Sequence, residues 1–219
     1  KAPQTIGVPA ALKARTRMEI SGALSMPDLR EILVISDDTG HSGQNEDIPW
    51  VFWLDPKGHL LPQPTQIRGI DKISDLESVT IDAAGQLYFL CSQSLSRKGK
   101  RPQKRQYLVR TKRDGRDLTV TGSTTLYRFL KANLPAAAMA ELGIDESLDI
   151  EGMTWWRDGL LLGLKSPLSP GQKARLLHLN GLDVIFGDPQ GGDARFSLKN
   201  IADLALPTGP GQDAGGISE

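Results

Sequence analysis

The feature that most constrains the fold is a hexapeptide that occurs twice. Asp75-Leu-Glu-Ser-Val-Thr80 and Asp149-Ile-Glu-Gly-Met-Thr154 share the order acid, aliphatic, glutamate, small, apolar, threonine. In both cases a glycine-containing turn follows, and then an apolar run that ends in polar residues. Weaker copies begin at Glu19-Ile-Ser-Gly and Gly216-Ile-Ser-Glu. Self-similarity at intervals of about 55 to 75 residues indicates a protein built of repeated supersecondary units.

Each unit is made of short apolar runs separated by turns, typical of antiparallel strands. The predicted strands lie near 18–24, 31–37, 50–55, 59–70, 76–82, 86–91, 106–111, 117–121, 150–156, 160–165, 174–180 and 183–186 or later. Repeated groups of four antiparallel strands are typical of β-propeller blades. We therefore predict an all-β propeller with blades at about 17–70, 75–121 and 149–205 and the start of another at 214–219. A plain β-sandwich is the alternative, but it would not repeat the same opening motif.

One segment departs from the strand pattern. Between Thr124 and Ile144, apolar residues recur at broadly helical spacing among good helix formers. Pro135 suits the first turn of a second short helix, and Gly143 suits its end. We predict a helical insertion near 125–143 with a packing role.

The number of units is small for a closed ring. A propeller has roughly four to eight blades, and a ring that ended inside a repeat would leave an open sheet edge. We expect the chain to be part of a longer protein, so that its first partner is the remainder of that protein, which a second fragment chain could supply.

Composition excludes several classes of function. The 219 residues carry 26 Lys and Arg against 26 Asp and Glu, so the formal net charge is zero and gives no general attraction to nucleic acid. No apolar run approaches the roughly 18 residues that span a bilayer, so we expect no membrane span. The single cysteine, Cys91, excludes an internal disulfide and a cysteine-based zinc site.

Acidic residues should converge at one end of the units. The second strand of a unit returns antiparallel, so its end lies beside the start of the first strand. The first-strand starts carry Asp75, Glu77, Asp149 and Glu151. The ends of the returning strands carry Asp37, Asp38, Gln93 and Lys165. The two sets should therefore meet at one mouth.

Convergent carboxylates repel one another and need a cation, a basic partner or raised pKa values. A hard divalent cation with oxygen ligands, Ca²⁺ or Mg²⁺, meets this need. We assign Glu77 and Glu151 as metal ligands, Asp75 and Asp149 as catalytic acid–base groups, and Lys165 as the group that orients an oxyanion. Two alternatives stay open: Lys165 neutralises the acids directly, or each Asp caps a loop while each Glu bonds a neighbouring unit.

Two long loops at this mouth differ in charge. Residues 92–105 contain Arg97 and five further Lys or Arg but no acid, whereas residues 36–49 contain four acids but no Lys or Arg. A basic loop beside an acidic mouth suits a small anionic substrate. We predict substrate contacts from Asp37, Asp38, Gln93 and Arg97, with a solvated loop as the alternative.

The hexapeptide that opens at Asp149, followed by Leu161-Leu-Gly-Leu-Lys-Ser-Pro167 and Ala174-Arg-Leu-Leu-His-Leu179, resembles a bacterial β-propeller domain family of unknown function. That family is related to the esterase-like-phytase propellers, which have similar Asp-x-Glu-Gly openings. More distantly, Glu151-Gly152 looks like the metal-ligating glutamate of calcium-dependent lactonase propellers, whereas Glu77 precedes a serine. The resemblance implies a propeller fold, a hydrolase activity and a secreted or periplasmic location.

Two functions are compatible with these observations. The first is a metal-dependent propeller hydrolase that acts on a phosphate ester, a carboxylic ester or a lactone. The second is a non-catalytic propeller module that binds an unknown ligand, and fold alone does not separate the two.

Overall fold

The computed structural model describes residues 6–13, 18–38, 47–187 and 195–205. Within these ranges the chain forms three consecutive groups of four strands, here called units. The first unit contains β1 (Ile20–Met26), β2 (Glu31–Ser36), β3 (Trp50–Leu54) and β4 (Thr65–Arg68). The second contains β5 (Leu76–Ile81), β6 (Leu87–Cys91), β7 (Tyr107–Asp114) and β8 (Asp117–Thr125). The third contains β9 (Asp149–Trp156), β10 (Gly159–Ser169), β11 (Lys173–Asn180) and β12 (Ser197–Ala205).

Neighbouring strands within each unit are antiparallel and follow chain order. The first two units are joined where β4 pairs with β8 in parallel, which gives one mixed sheet of eight strands. A positive φ of 96° at Gly69 turns the chain here, and a Cβ on this glycine would lie 3.1 Å from that of Val120. The prediction of a mainly β chain is confirmed. Among the described strands, however, the third unit alone forms an antiparallel four-stranded sheet of its own.

The described helices are α1 (Ala10–Lys13), α2 (Leu126–Asn133), α3 (Ala136–Leu142) and α4 (Leu182–Ile185). The predicted insertion is confirmed by α2 and α3, with Pro135 directly before α3 and Gly143 left-handed at its end, φ 70°. The fourth strand of the third unit, predicted near 183–186 or later, takes the later position and starts at Ser197, whereas residues 182–185 form α4. Leu182 and Ile185, three positions apart, are both buried there, which is the spacing of one helical face.

The units pack against one another through two apolar layers. The layer between the first and second units includes Leu33, Trp53, Phe89 and Val109. The layer between the second and third units also takes in the helical insertion; its members include Leu90, Leu108, Leu130, Leu162 and Leu177. On the outer side of the first unit, Leu12 of α1 packs with Val34 and Phe52.

The first strands of the three units lie side by side, with β5 between β1 and β9. The Ser78 hydroxyl in β5 donates to the Met153 carbonyl at 3.1 Å and accepts from the Met153 N–H at 2.9 Å. Further along, the Trp155 N–H donates to the Thr80 hydroxyl at 2.9 Å. The two copies of the hexapeptide therefore start neighbouring strands, as the repeat predicts.

The predicted start of another unit at 214–219 lies outside the described residues. Within the ranges that the structure describes, no helix has the length and apolar character that crossing a membrane requires.

The bond between Ser78 and Met153 can be tested by truncation. Ser78→Ala should lower the free energy of unfolding by about 1–3 kcal/mol, because it leaves the buried Met153 N–H without its acceptor. Urea denaturation followed by tryptophan fluorescence measures this change. Ser25→Ala, at an exposed position of β1, serves as the control and should change the value by less than about 0.5 kcal/mol. Equal midpoints for the two variants would show that this hydroxyl does not stabilise the packing of β5 on β9.

Candidate functional site

Three carboxylates form a cluster where the first unit meets the second. Asp37 follows β2, Asp75 precedes β5 and Glu77 lies in β5, and one oxygen of each lies within 4.8 Å of the others. The Asp75 N–H donates to the Asp37 carbonyl at 3.0 Å, which joins the two segments. Asp75 has a left-handed backbone, φ 59°, a conformation that aspartate tolerates better than most residues. We call Asp37, Asp75 and Glu77 the acidic cluster.

Asp75 is the charged member of the acidic cluster. Arg105 forms an ion pair with it, and the Arg105 Nε donates to Oδ2 at 2.7 Å. The hydroxyls of Ser92 and Ser94 also donate to this carboxylate. Burial alone would raise the pKa of Asp75, but the bonds from Arg105 and Ser92 hold it below its usual value.

Glu77 has the opposite environment. Glu77 is only 9% exposed. No described residue donates a hydrogen bond to its carboxylate or forms an ion pair with it. Burial, followed by the charges of Glu151 and Asp37, raises the pKa of Glu77 to about 9. Burial and the adjacent Asp75 likewise raise the pKa of Asp37 to about 7. At neutral pH, and without a bound cation, bound protons therefore neutralise part of the negative charge of the acidic cluster.

The second copy of the hexapeptide contributes a separate group. Lys165 on β10 donates to Glu151 at 2.7 Å and lies 3.9 Å from Asp149. The bond to Glu151 raises the pKa of Lys165. Burial, and then the charge of Glu151, raises the pKa of Asp149 to about 6, although Lys165 opposes the shift. For Glu151 the structure thus shows the alternative in which Lys165 neutralises the acid directly.

Two adjoining cavities are lined by the acidic cluster and by Glu151. The larger cleft, about 790 Å³, is lined by acidic residues that include Asp37, Asp38 and Asp75. Basic residues also line it: Arg97, Lys98, Lys100, Lys104 and Arg105. The smaller cavity, about 440 Å³, is lined by Glu77 and Glu151 together with residues of β1. Glu19 and Asp37 line both cavities, so the two meet there.

Most of the predicted site residues therefore come together. Seven of them lie at these cavities or in the group beside them: Asp37, Asp38, Asp75, Glu77, Arg97, Glu151 and Lys165. Asp149 joins them through Lys165.

Gln93 does not face either cavity. It is fully buried, its amide nitrogen donates to the Cys91 carbonyl at 2.8 Å, and its amide oxygen accepts from the Tyr127 N–H at 3.1 Å. We predicted substrate contact because Gln93 is a polar residue at a strand end. In the structure its side chain instead forms hydrogen bonds with buried backbone groups. The assignment of Gln93 to substrate binding is therefore replaced by a role in supporting the loop.

Sequence reasoning missed two residues of the site. Glu19 lines both cavities and occupies, in the weakest copy of the repeat, the position of Asp75 and Asp149. Alignment of the three copies could have identified it. Arg105 was one of several basic residues in its loop, and no pattern in the sequence distinguishes it as the partner of Asp75.

The basic loop is anchored to the helical insertion. The Arg101 guanidinium lies 3.9 Å from the centre of the Tyr127 ring on α2. It also donates to the carbonyls of Glu146, at 2.7 Å, and Leu148, at 3.3 Å, just before β9. Arg101 thus fixes the basic loop relative to the start of β9.

No protein-family model and no curated protein matches this sequence. Among solved structures, a luciferin-regenerating enzyme is similar over 84% of this chain, with 10% sequence identity and a TM-score of 0.38. This chain spans 62% of the length of that enzyme. A TM-score of this size does not establish a shared fold.

Glu77 should lower the stability of the metal-free protein at high pH. An unfolded glutamate ionises near 4.5, whereas Glu77 keeps its proton up to a pKa of about 9, so raising the pH between these values favours unfolding. Glu77→Gln, neutral at every pH, should raise the free energy of unfolding by roughly 1–3 kcal/mol near pH 8 in EDTA. Thermal melts across the pH range measure this. Glu141→Gln, at an exposed position of α3, is the control; a destabilised Glu77→Gln would contradict the burial argument.

Arg101 should hold the basic loop in place. Arg101→Lys keeps the charge but loses the planar contact with Tyr127 and the paired donation to two carbonyls. Amide hydrogen exchange in residues 96–100 should become roughly tenfold faster, as expected for the loss of about 1.4 kcal/mol of local stability. Arg128→Lys, exposed on α2, should leave this exchange unchanged. Unaltered exchange in both variants would show that other contacts hold the loop.

Proposed function

We propose that this chain is a metal-dependent hydrolase of the β-propeller type, which cleaves an ester or lactone bond of an anionic substrate. In this proposal the three units are blades, an interpretation that their side-by-side first strands support. The observation that carries the proposal is the Glu77 carboxylate, buried beside Asp37 and Asp75 with no cationic partner among the described residues.

The acidic cluster is compact enough to bind a hard divalent cation, Ca²⁺ or Mg²⁺. Ca²⁺ binds oxygens at about 2.3–2.6 Å, so two ligands on opposite sides of it are about 5 Å apart. For Mg²⁺, with bonds of about 2.0–2.1 Å, that separation is only about 4 Å. The cluster oxygens all lie within 4.8 Å of one another, a limit that the spans of both ions satisfy. Asp37, Asp75 and Glu77 are the proposed ligands because their oxygens lie within reach of one ion.

The proposed reaction is hydrolysis assisted by the second group of acids. A divalent cation supplies a Lewis acid that withdraws electrons from the carbonyl or phosphoryl oxygen of the substrate. Asp149, ionised above its pKa of about 6, takes a proton from a water molecule. The water oxygen bonds to the carbonyl carbon or the phosphorus, the ester bond breaks, and the leaving alcohol takes up the proton that Asp149 accepted. Lys165, which pairs with Glu151 and lies 3.9 Å from Asp149, favours the ionised form of this base.

A non-catalytic binding module is the second candidate. The observation that favours it is that two of the acids already have basic partners within the chain, Asp75 with Arg105 and Glu151 with Lys165. A cleft lined by both acidic and basic residues can hold a ligand of mixed charge without reacting with it.

Ion binding and turnover separate these candidates. Calorimetry with Ca²⁺ should show one site, weakened at least tenfold by Glu77→Gln and by Asp75→Asn but not by the exposed control Glu141→Gln. Hydrolysis of p-nitrophenyl acetate and p-nitrophenyl phosphate is then measured with Ca²⁺ or EDTA. Asp149→Asn should lower kcat at least a hundredfold while calcium affinity is retained. Calcium binding without turnover of either ester would favour the binding module, and failure to bind Ca²⁺ would overturn the metal site.

A further inference from the structure

The smaller cavity is lined by charged groups of one sign. Four acidic residues line it: Glu19, Asp37, Glu77 and Glu151. Among the residues that the structure describes, no lysine or arginine lines this cavity, and Lys165, which pairs with Glu151, is not part of the lining. A poorly solvated cavity with charges of one sign attracts ions of the opposite sign. The smaller cavity therefore favours a cation.

Glu77 gives this cavity a buried carboxylate without a partner. It is more than nine-tenths buried, and no described residue donates a hydrogen bond to it. A buried carboxylate ordinarily has a donor or a positive charge beside it. Asp75, its neighbour in the acidic cluster, lines only the larger cleft, whereas Asp37 lines both cavities. The proposed metal site therefore lies where the cavities join, and the smaller cavity extends beyond it.

The rest of the lining suits an organic cation better than a second metal ion. Ile20, Gly22 and Ala23 have no side-chain oxygen for a metal, and the Ser21 hydroxyl already donates to the Leu76 carbonyl. The carbon atoms of Ile20 and Ala23 can instead contact the methyl or methylene groups of an alkylammonium ion. At about 440 Å³ the cavity also has the size of a small-molecule site.

The larger cleft offers positive charge to a ligand. Two of the basic residues that line it, Lys104 and Arg105, are paired with aspartates. The other three form no ion pair with any residue in the described ranges: Arg97, Lys98 and Lys100. They lie within four consecutive positions, so they form a local concentration of positive charge that attracts an anionic group.

We propose that the substrate is a zwitterionic ester, with an organic ammonium group on one side of the scissile bond and an anionic group on the other. The ammonium group sits in the smaller cavity beside Glu19 and Glu77, and the anionic group sits on Arg97, Lys98 and Lys100. The ester bond lies between them at the acidic cluster. The water oxygen bonds to the acyl carbon, the bond from that carbon to the alcohol oxygen breaks, and the alcohol oxygen takes up a proton. This inference rests on the proposed hydrolase function.

Choline esters test the proposal directly. Succinylmonocholine carries a quaternary ammonium group and a carboxylate on opposite sides of one ester bond. Monoethyl succinate lacks the ammonium group, and acetylcholine lacks the carboxylate. With Ca²⁺ present, kcat/KM for succinylmonocholine should be at least tenfold above that of either other ester, measured by proton release in a pH-stat. Equal values for the three esters would overturn the proposal.

Matched variants assign the two ends of the substrate. Glu19→Gln should raise KM for succinylmonocholine about threefold, as expected for the loss of one exposed ion pair, but not KM for monoethyl succinate. Glu141→Gln, exposed on α3, is its control. Lys98→Gln combined with Lys100→Gln should raise KM for both succinate esters but not for acetylcholine, with Lys199→Gln as control.

All the substituted positions are exposed, so the variants should fold, which circular dichroism checks. A Glu19→Gln variant with the wild-type KM for succinylmonocholine would contradict the placement of the ammonium group.

A binding measurement separates failure of this inference from failure of the hydrolase proposal. The probe is the amide analogue of succinylmonocholine, in which an N–H replaces the ester oxygen, and calorimetry at saturating Ca²⁺ measures its affinity. It should bind, and Glu19→Gln should weaken it whereas Glu141→Gln should not. Such binding without hydrolysis of any ester would support the zwitterion site and overturn the hydrolase.

Hydrolysis of all three esters with equal kcat/KM, and no binding of the amide, would do the reverse. Binding of the amide in EDTA that is lost at saturating Ca²⁺ would show that the ammonium group and the metal ion share one position. That result would overturn the separate ammonium site.

Discussion

The site depends on the packing of β5 between β1 and β9. The Ser78 hydroxyl satisfies both the N–H and the carbonyl of Met153, which fixes the register of one first strand against the next. Because the two copies of the hexapeptide then start at the same end, Glu77 and Glu151 line one cavity. The face on which each glutamate lies is set by the pairing of β5 with β6 and of β9 with β10.

The packing of β5 on β9 brings several carboxylates together where they are partly shielded from water. Basic side chains of the protein neutralise only some of these carboxylates. Arg105 keeps Asp75 ionised, and Lys165 neutralises Glu151. Glu77 has no such partner among the described residues, so without an added cation it keeps its proton. Such a pKa shift at a cavity is more frequent at functional sites than elsewhere in proteins.

The basic loop that lines the cleft depends on parts of the chain that lie outside the sheets. Arg101 joins the loop to Tyr127 of α2 and to the residues before β9, while Gln93 satisfies backbone groups beneath the loop. The helical insertion thus has the packing role expected of it, and in addition it anchors the loop whose basic residues line the cleft.

The sequence by itself determined the local structure: the repeat, nearly all the strands, the insertion with its breaks at Pro135 and Gly143, and the meeting of Asp75, Glu77, Glu151 and Lys165. These follow from periodicity, turn residues and the antiparallel return of each second strand, all of which are short-range properties of the chain. Only the tertiary structure decided that β4 pairs with β8, that residues 182–185 form a helix, that Gln93 is buried and that Asp37 joins the acidic cluster in place of Glu151. Only the tertiary structure also shows that Arg105, among the basic residues of the loop, is the partner of Asp75. The two residues are 30 positions apart in the sequence. Such contacts depend on how a loop crosses the surface and which faces pack, and no local pattern in the sequence encodes those paths.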